Sequence, residues 1–180
     1  HSDRYQYVLP YYDFDKSLYF DQLNGSLNFN SSGSNNLKDT NNLESTINNN
    51  VGYSSVDYYS KKGFKNRFNL YFKNLNSLGR NNPNYNSSPS VDVMSIFEIS
   101  SSFPLVKEKN LSKEIITPKI SFRVNPSDNM KNHSSSSKKI SANNIFEINR
   151  LAISDSYESG KSLTLGFDYR LDYENKDEDY

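Results

Sequence analysis

The chain has 180 residues with 21 basic and 21 acidic side chains, and that balance gives no electrostatic reason to expect nucleic acid or a strongly acidic partner. It contains no cysteine, which excludes a disulfide framework and a thiolate metal site within this segment. Hydrophobic residues make up only 34%, yet Tyr and Phe number 14 and 11, a composition lean for a two-sided soluble core but workable for strands with a single apolar face.

Taken in chain order, Tyr5 to Phe14 reads as a first strand, with Pro10 marking an edge position, a bulge or a strand start because proline has no ladder donor. Leu23, Gly25, Leu27 and Phe29 alternate with Asn24, Ser26, Asn28 and Asn30 in a second strand. The polar stretch Ser31 to Asn36 follows, with Gly33 as its expected turn residue. Leu43 to Tyr53 is a weaker third strand, extending towards Tyr59, and Lys61-Lys62-Gly63 is a tight turn. Phe64, Phe68, Leu70 and Phe72 share a face opposite Lys65, Arg67 and Asn69, and Gly79 to Ser90 is a loop with two prolines. Val91, Val93, Phe97 and Ile99 share the next face; Met94 and Ile96 break it, which predicts a register-shifting bulge. Pro104 ends or bends that strand, and Lys107 to Ser112 is a turn.

The two cleanest strands come last. Ile116, Pro118, Ile120, Phe122 and Val124 alternate with Thr117, Lys119, Ser121 and Arg123. After a long polar loop from Asn125 to Lys139 and a less regular apolar segment from Ile145 to Ile153, Leu163, Leu165, Phe167, Tyr169 and Leu171 alternate with Thr164, Gly166, Asp168 and Arg170. Successive side chains of a strand point to opposite faces, so each of these has one wholly apolar face. About eight strands joined by turns and loops, with no intervening helix, make an antiparallel meander. Asn and Ser, roughly a third of the residues, gather between the strands.

A soluble sandwich and a transmembrane barrel share this alternation. Strand lengths at or above the ~9–11 residues that cross a bilayer favour the barrel, as do alternating short and long connections and aromatic residues towards strand ends (Tyr5, Tyr53, Phe64, Phe72, Tyr169, Tyr173). No run reaches the ~18 apolar residues of a transmembrane helix, and no signal-peptide pattern is present. A start at His1 and a charged end after a good strand lead us to expect an internal piece of a longer protein. An Arg on the lipid side near the bilayer midplane costs about 2–4 kcal/mol. Arg67, Lys119, Arg123 and Arg170 are therefore expected to face a polar lumen, where Asp168 and Asp172 can pair with them.

Tyr7-Val8-Leu9-Pro10-Tyr11-Tyr12-Asp13-Phe14, Gly25-Ser26-Leu27 and Phe103-Pro104-Leu105 resemble the barrel of the LPS-assembly protein family LptD, also called organic solvent tolerance proteins. Ile116-Thr117-Pro118-Lys119-Ile120 through Asn125-Pro126 carries the likeness best. Asn144 to Leu151, then Asp155, Glu158, Gly160 and Leu163-Thr164-Leu165-Gly166, follow in the family's order. The resemblance covers nearly the whole chain and implies that residues 1–180 are one partial barrel domain in the cell outer membrane. It implies a role in inserting lipopolysaccharide into the outer leaflet, with an LptE-like lipoprotein plug and an LptA-like periplasmic bridge as partners. The family's jelly roll, its disulfide cysteines and the terminal strands of the lateral gate are not expected here. Asn149, Arg150, Glu158 and Gly160 are carried over as a structural motif only.

The expectation is a translocation scaffold and not an enzyme, with no cofactor, catalytic residue or metal. Glu147, Arg150, Asp155 and Glu158 could be read as an acid/base or metal cluster; without Cys or His among them, salt bridges holding an inward-folded segment are the better reading. His1 and His133 lie at a terminus and in a Ser-rich loop, which does not make a catalytic dyad. Lys138-Lys139 and the acidic run Glu174 to Asp179 read as solvated loops, with contact to lipopolysaccharide phosphate or a bridging divalent cation as the sharper alternatives. Rival functions are another outer-membrane barrel (a porin or TonB-type receptor) and a soluble β-sandwich adhesin or carbohydrate-binding module. In a heat-modifiability gel, Leu165→Arg is expected to block membrane assembly and Thr164→Arg to be tolerated.

Overall fold

The structure is a computed structural model and describes residues 6–21, 24–38, 40–109, 112–127, 140–150 and 157–173. Its strand segments are β1 (Gln6–Phe20), β2 (Gly25–Lys38), β3 (Leu43–Ser55), β4 (Tyr58–Tyr59), β5 (Lys65–Arg80), β6 (Ser90–Ser102), β7 (Leu105–Lys109), β8 (Ser112–Asn125) and β9 (Gly160–Tyr173). All belong to one open sheet in the order β1-β2-β3-β5-β6-β8, with β4 beside β5 and with β7 and β9 both beside β8. Every pairing is antiparallel.

Two long staves are each interrupted once. β3 and β4 both pair with β5, at Ser54↔Asn69 and Tyr58↔Asn66, so the break falls at Val56–Asp57. β6 and β7 both pair with β8, at Ser102↔Lys119 and Leu105↔Ile116. Between them Phe103 N–H still donates to the Pro118 carbonyl at 3.0 Å, while Pro104 has no N–H to give. The nine segments therefore lie as seven continuous staves. β1 spans 15 residues and β5 spans 16, well beyond the ~9–11 that a bilayer crossing needs. At one end of the sheet the connections are short (21–24, 60–64, 110–111); at the other they are 39–42, 81–89 and 126–159.

In-register pairing carries the alternation across the sheet. Leu163, Leu165, Phe167 and Tyr169 on β9 sit opposite Phe122, Ile120, Pro118 and Ile116 on β8. Val124 and Phe122 meet Phe97 and Ile99, which meet Leu70 and Phe68, and the row continues to Tyr53 and Leu27. This face is bare: Leu165 is 68% exposed and Phe167 72%. A continuous apolar surface of this extent marks contact with a membrane or another protein.

Three expectations need correction. Ser31 to Asn36 is not a turn but the upper half of β2, paired on both sides. At Gly33 the Tyr12 ring fills the place of the missing side chain, since a Cβ there would lie 2.3 Å from Tyr12 Cε1. Met94 and Ile96 cause no bulge: the β5–β6 ladder runs unbroken through Lys73↔Met94 and Tyr71↔Ile96. Both point to the polar face and are buried there, at 0% and 1% exposure. The only β1–β2 irregularity lies between Val8 and Tyr11, around Pro10, where a missing N–H disrupts the ladder. Ile145 to Arg150, the less regular apolar segment, forms turns; 151–153 lie outside the described residues. Finally, several elements run past their expected bounds. β1 continues to Phe20, β5 to Arg80 and β7 to Lys109, leaving the loop at 81–89; 110–111 lie outside the described residues.

The turn between β4 and β5 is closed by Ser60 N–H to the Phe64 carbonyl (2.8 Å) and Gly63 N–H to the Ser60 carbonyl (2.9 Å). Gly63 adopts φ +87°, and a Cβ there would stand 3.1 Å from the Phe103 ring. Gly63→Ala is expected to lower stability by about 1–2 kcal/mol, read as a lower urea midpoint of the folded band. Gly52→Ala, where the nearest atom to a Cβ is 3.6 Å away, should leave the midpoint within error.

Candidate functional site

Opposite the apolar side, alternation places a polar face: Ser26, Asn28, Asn30 and Ser32 on β2 and Asn48, Asn50 and Ser54 on β3. Lys65, Arg67, Asn69, Lys73 and Ser77 follow on β5, and Glu98 and Ser100 on β6. Lys119, Ser121 and Arg123 lie there on β8, and Thr164, Asp168 and Arg170 on β9. Side-chain amides and hydroxyls bridge neighbouring staves. Ser54 Oγ donates to Asn69 Oδ1 and Asn69 Nδ2 to Glu98 Oε1, both at 2.9 Å. Asn50 Nδ2 donates to Asn30 Oδ1 at 3.2 Å, and Tyr71 Oη to Asn50 Oδ1 at 3.1 Å.

All five expected charged residues of this face lie on it. Lys119 is ion-paired with Asp168 across the β8–β9 ladder, and Arg170 Nε donates to Asp172 at 2.7 Å. Arg67 has a partner that alternation could not reveal: Asp57, from the break between β3 and β4, bridges Arg67 and Lys65, each at 2.8 Å. The hydrogen bond from Lys65 is the main cause holding the Asp57 carboxyl below its usual range; desolvation opposes it, and Arg67 adds to the lowering. Arg123 is 3% exposed and faces Glu98 across the ladder. Asp57, Lys65, Arg67, Asn69, Glu98, Lys119 and Phe146 line an open groove of about 240 Å³ on this face.

The middle of the polar face is covered. Residues 140–150 and 157–159 fold back over it, through turns closed by Ser141 N–H to Asn144 Oδ1 (2.7 Å) and Ile145 N–H to the Ser141 carbonyl (3.0 Å). The Phe146 ring packs over Gly166, where a Cβ would lie 3.0 Å from it, and receives the Lys119 ammonium 5.9 Å from its centroid. Tyr157 is buried with Leu75, Met94 and Ile96, and Tyr71 and Ile148 pack against that cluster. Its ring lies 5.5 Å from that of Tyr71 and its hydroxyl donates to Tyr71 Oη at 3.3 Å. The apolar residues that interrupt the polar face on β5 and β6 are thus the seat of this segment.

Two polar ties fasten it. Arg150 Nε donates to Glu158 Oε2 at 2.7 Å with the Arg150 side chain only 10% exposed. Asn125, 1% exposed, donates through Nδ2 to the Glu158 carbonyl at 2.8 Å. Asn149 adjoins this pair, and Gly160 opens β9 at φ +90°. Glu147 is exposed and outside the pair. Sequence reasoning missed Tyr157, Tyr71 and Phe146; the signal was Met94 and Ile96 out of phase on β6, which asks for an apolar partner on the polar face. Thr164 lies on that face as expected but is 6% exposed, so an arginine there collides with the covering segment. His1, His133, Asp155, Lys138, Lys139 and 174–179 lie outside the described residues. Among the described residues no group of His, Asp and Glu is placed to hold a metal.

Tyr157→Ala should release the covering segment, costing about 3–5 kcal/mol and sharply raising protease cleavage within 140–150; Tyr157→Phe, which keeps the ring and loses one hydrogen bond, should cost about 0.5–1.5 kcal/mol. The depressed Asp57 value means that its pairing stabilises the short-turn end above the unfolded value and is lost as pH falls through the folded one. Proteolysis of the 58–64 hairpin should therefore rise below about pH 4, and Asp57→Asn should remove that pH dependence.

A family model described as LPS transport system D, LptD, matches residues 4–180. No curated protein and no solved structure matches. The chain belongs to the LptD family, an outer-membrane family that serves lipopolysaccharide transport and assembly.

Proposed function

We propose that this member of the LptD family is barrel wall: residues 1–180 form one partial domain whose apolar face meets lipid and whose polar face lines the lumen of a lipopolysaccharide translocon. The supporting observation is the two-faced sheet itself, seven staves wide, with a bare apolar band on one side and charged and amide groups across the other. Arg67, Lys119, Arg123, Asp168 and Arg170 are then lumen groups: Asp57 pairs with Arg67, Asp168 with Lys119 and Asp172 with Arg170, while the buried Arg123 lies across the ladder from Glu98 with its Nε and Nη2 unbonded. A hydrated polar wall of this kind accepts a charged, sugar-rich headgroup. The acyl chains would leave through a seam formed by strands other than these. β1 and β9, the edges of the sheet, would pair with further strands of the same barrel, because an unpaired edge in hydrocarbon leaves backbone groups unsatisfied. An LptE-like plug and an LptA-like bridge are the proposed partners, and the role is transport rather than catalysis.

Leu165→Arg places a cation on the proposed lipid face at about 2–4 kcal/mol and should abolish the heat-modifiable folded form. Thr117→Arg is the matched control, on the polar face and opposite Asp168. It should assemble as the wild type does. Equal effects of the two substitutions would overturn the assignment of faces.

A further inference from the structure

The short-turn end of the apolar face carries an arrangement that the barrel wall alone does not require. The hairpin between β4 and β5 exposes Lys61 and Lys62 at its tip, with Tyr58, Tyr59 and Phe64 beside them. β7 runs on beyond the level at which β5 starts, since Lys65 pairs with Ser102 and the stave continues to Lys109. This carries Lys107 past the hairpin on the apolar side, just beyond Leu105, and the Phe64 and Phe103 rings join the two at 4.8 Å. On the far side Tyr169 and Tyr173 close the same rim.

Several cations here are already matched: Lys109 by Glu114, Lys113 by Glu108, and one of Lys65 and Arg67 by Asp57. Lys61 and Lys62 have no ion-pair partner among the described residues, and Lys107 stands across the ladder from Glu114, the carboxylate that Lys109 also pairs with. Glu114 can offset only one of Lys107 and Lys109, so the rim keeps Lys61, Lys62 and one of that pair in excess, set among exposed aromatic rings at the edge of an apolar band. Towards the other end the same face carries the separate cations Arg80 and Lys161, and its amides and hydroxyls hydrogen-bond to one another: Ser31 Oγ to Asn49 Oδ1 (2.6 Å), Asn49 Nδ2 to Asn74 Oδ1 (3.1 Å) and Asn76 Nδ2 to Asn74 Oδ1 (2.7 Å). One end of this surface thus gathers ammonium groups among aromatic rings, and the other sets separate cations beside a network of amides.

We propose that the Lys61–Lys62–Lys107 rim docks anionic phospholipid headgroups of the leaflet that meets the short-turn end. Charge complementarity carries the assignment: ammonium groups near an anionic surface attract phosphate within a Debye length, and aromatic rings seat at the headgroup level. Ammonium and aromatic groups without a ladder of amides fit a compact phosphodiester better than a sugar. The proposal rests on the reading of the apolar face as lipid-facing and adds a leaflet-specific ligand to it.

The test uses the full-length polypeptide in phosphatidylcholine nanodiscs doped with photoactivatable phosphatidylglycerol, phosphatidylcholine or lipid A, scored as crosslinking to the 58–64 hairpin. The wild type should favour phosphatidylglycerol over phosphatidylcholine. In the Lys61→Gln/Lys62→Gln/Lys107→Gln variant that ratio should fall by at least about fivefold, and high salt should do the same. Lys161→Gln, at the opposite end of β9, should change nothing. A folded, inserted protein with no phosphatidylglycerol preference, or with one the triple variant retains, would overturn the proposal and leave the barrel reading intact. Preferred labelling by lipid A would also overturn it, assigning the rim to the glycolipid. Failure of the wild type to insert would overturn both.

Discussion

Backbone N–H and C=O groups that enter hydrocarbon must be hydrogen-bonded within the protein, and for strands this means pairing on both edges. The ladders meet that demand over long strands of 13 to 16 residues, with interruptions at Val56–Asp57 and Phe103–Pro104. Once the backbone is fixed in register, side-chain chemistry can only choose a face, and a one-residue slip would exchange the two. The opposed rows of β8 and β9 show how strictly this is kept: Ile116, Pro118, Ile120 and Phe122 meet Tyr169, Phe167, Leu165 and Leu163 without exception.

The polar face obeys a different demand. Several of its charges are paired locally: Asp168 with Lys119, Asp172 with Arg170, and Asp57 shared between Lys65 and Arg67. At its centre the sheet exchanges polarity for packing. Leu75, Met94 and Ile96 form an apolar seat that receives Tyr157, and the Arg150–Glu158 pair and Asn125 fix the segment that delivers it. Hydrophobic burial and two polar ties together hold a connection that starts and ends at the same rim of the sheet against the wall.

Much of this was legible in the residues. The antiparallel meander, the apolar rows of β8 and β9, the turn at Gly63 and the face occupied by Arg67, Lys119, Arg123, Asp168 and Arg170 all follow from a period of two. What stayed hidden depends on partners distant in sequence. Met94 and Ile96 look like errors of phase until Tyr157, some sixty residues on, supplies their contact. Ser31 to Asn36 looks like a turn because its residues are poor strand formers, yet pairing with β1 and β3 and the ring of Tyr12 over Gly33 override that preference. Asp57 was invisible as the partner of Arg67 because the break between β3 and β4 sets its position.

The central claim is that one face of this sheet lies in lipid and the other lines a lumen. The chain has no native cysteine, so single cysteines from Ser162 to Asp172 can be spin-labelled one at a time in the membrane-inserted protein. The account predicts oxygen accessibility that peaks at 163, 165, 167, 169 and 171, with accessibility to a polar nickel reagent out of phase and depressed at 164, where the covering segment lies. A profile without period two, or nickel access equal on both faces, would contradict it.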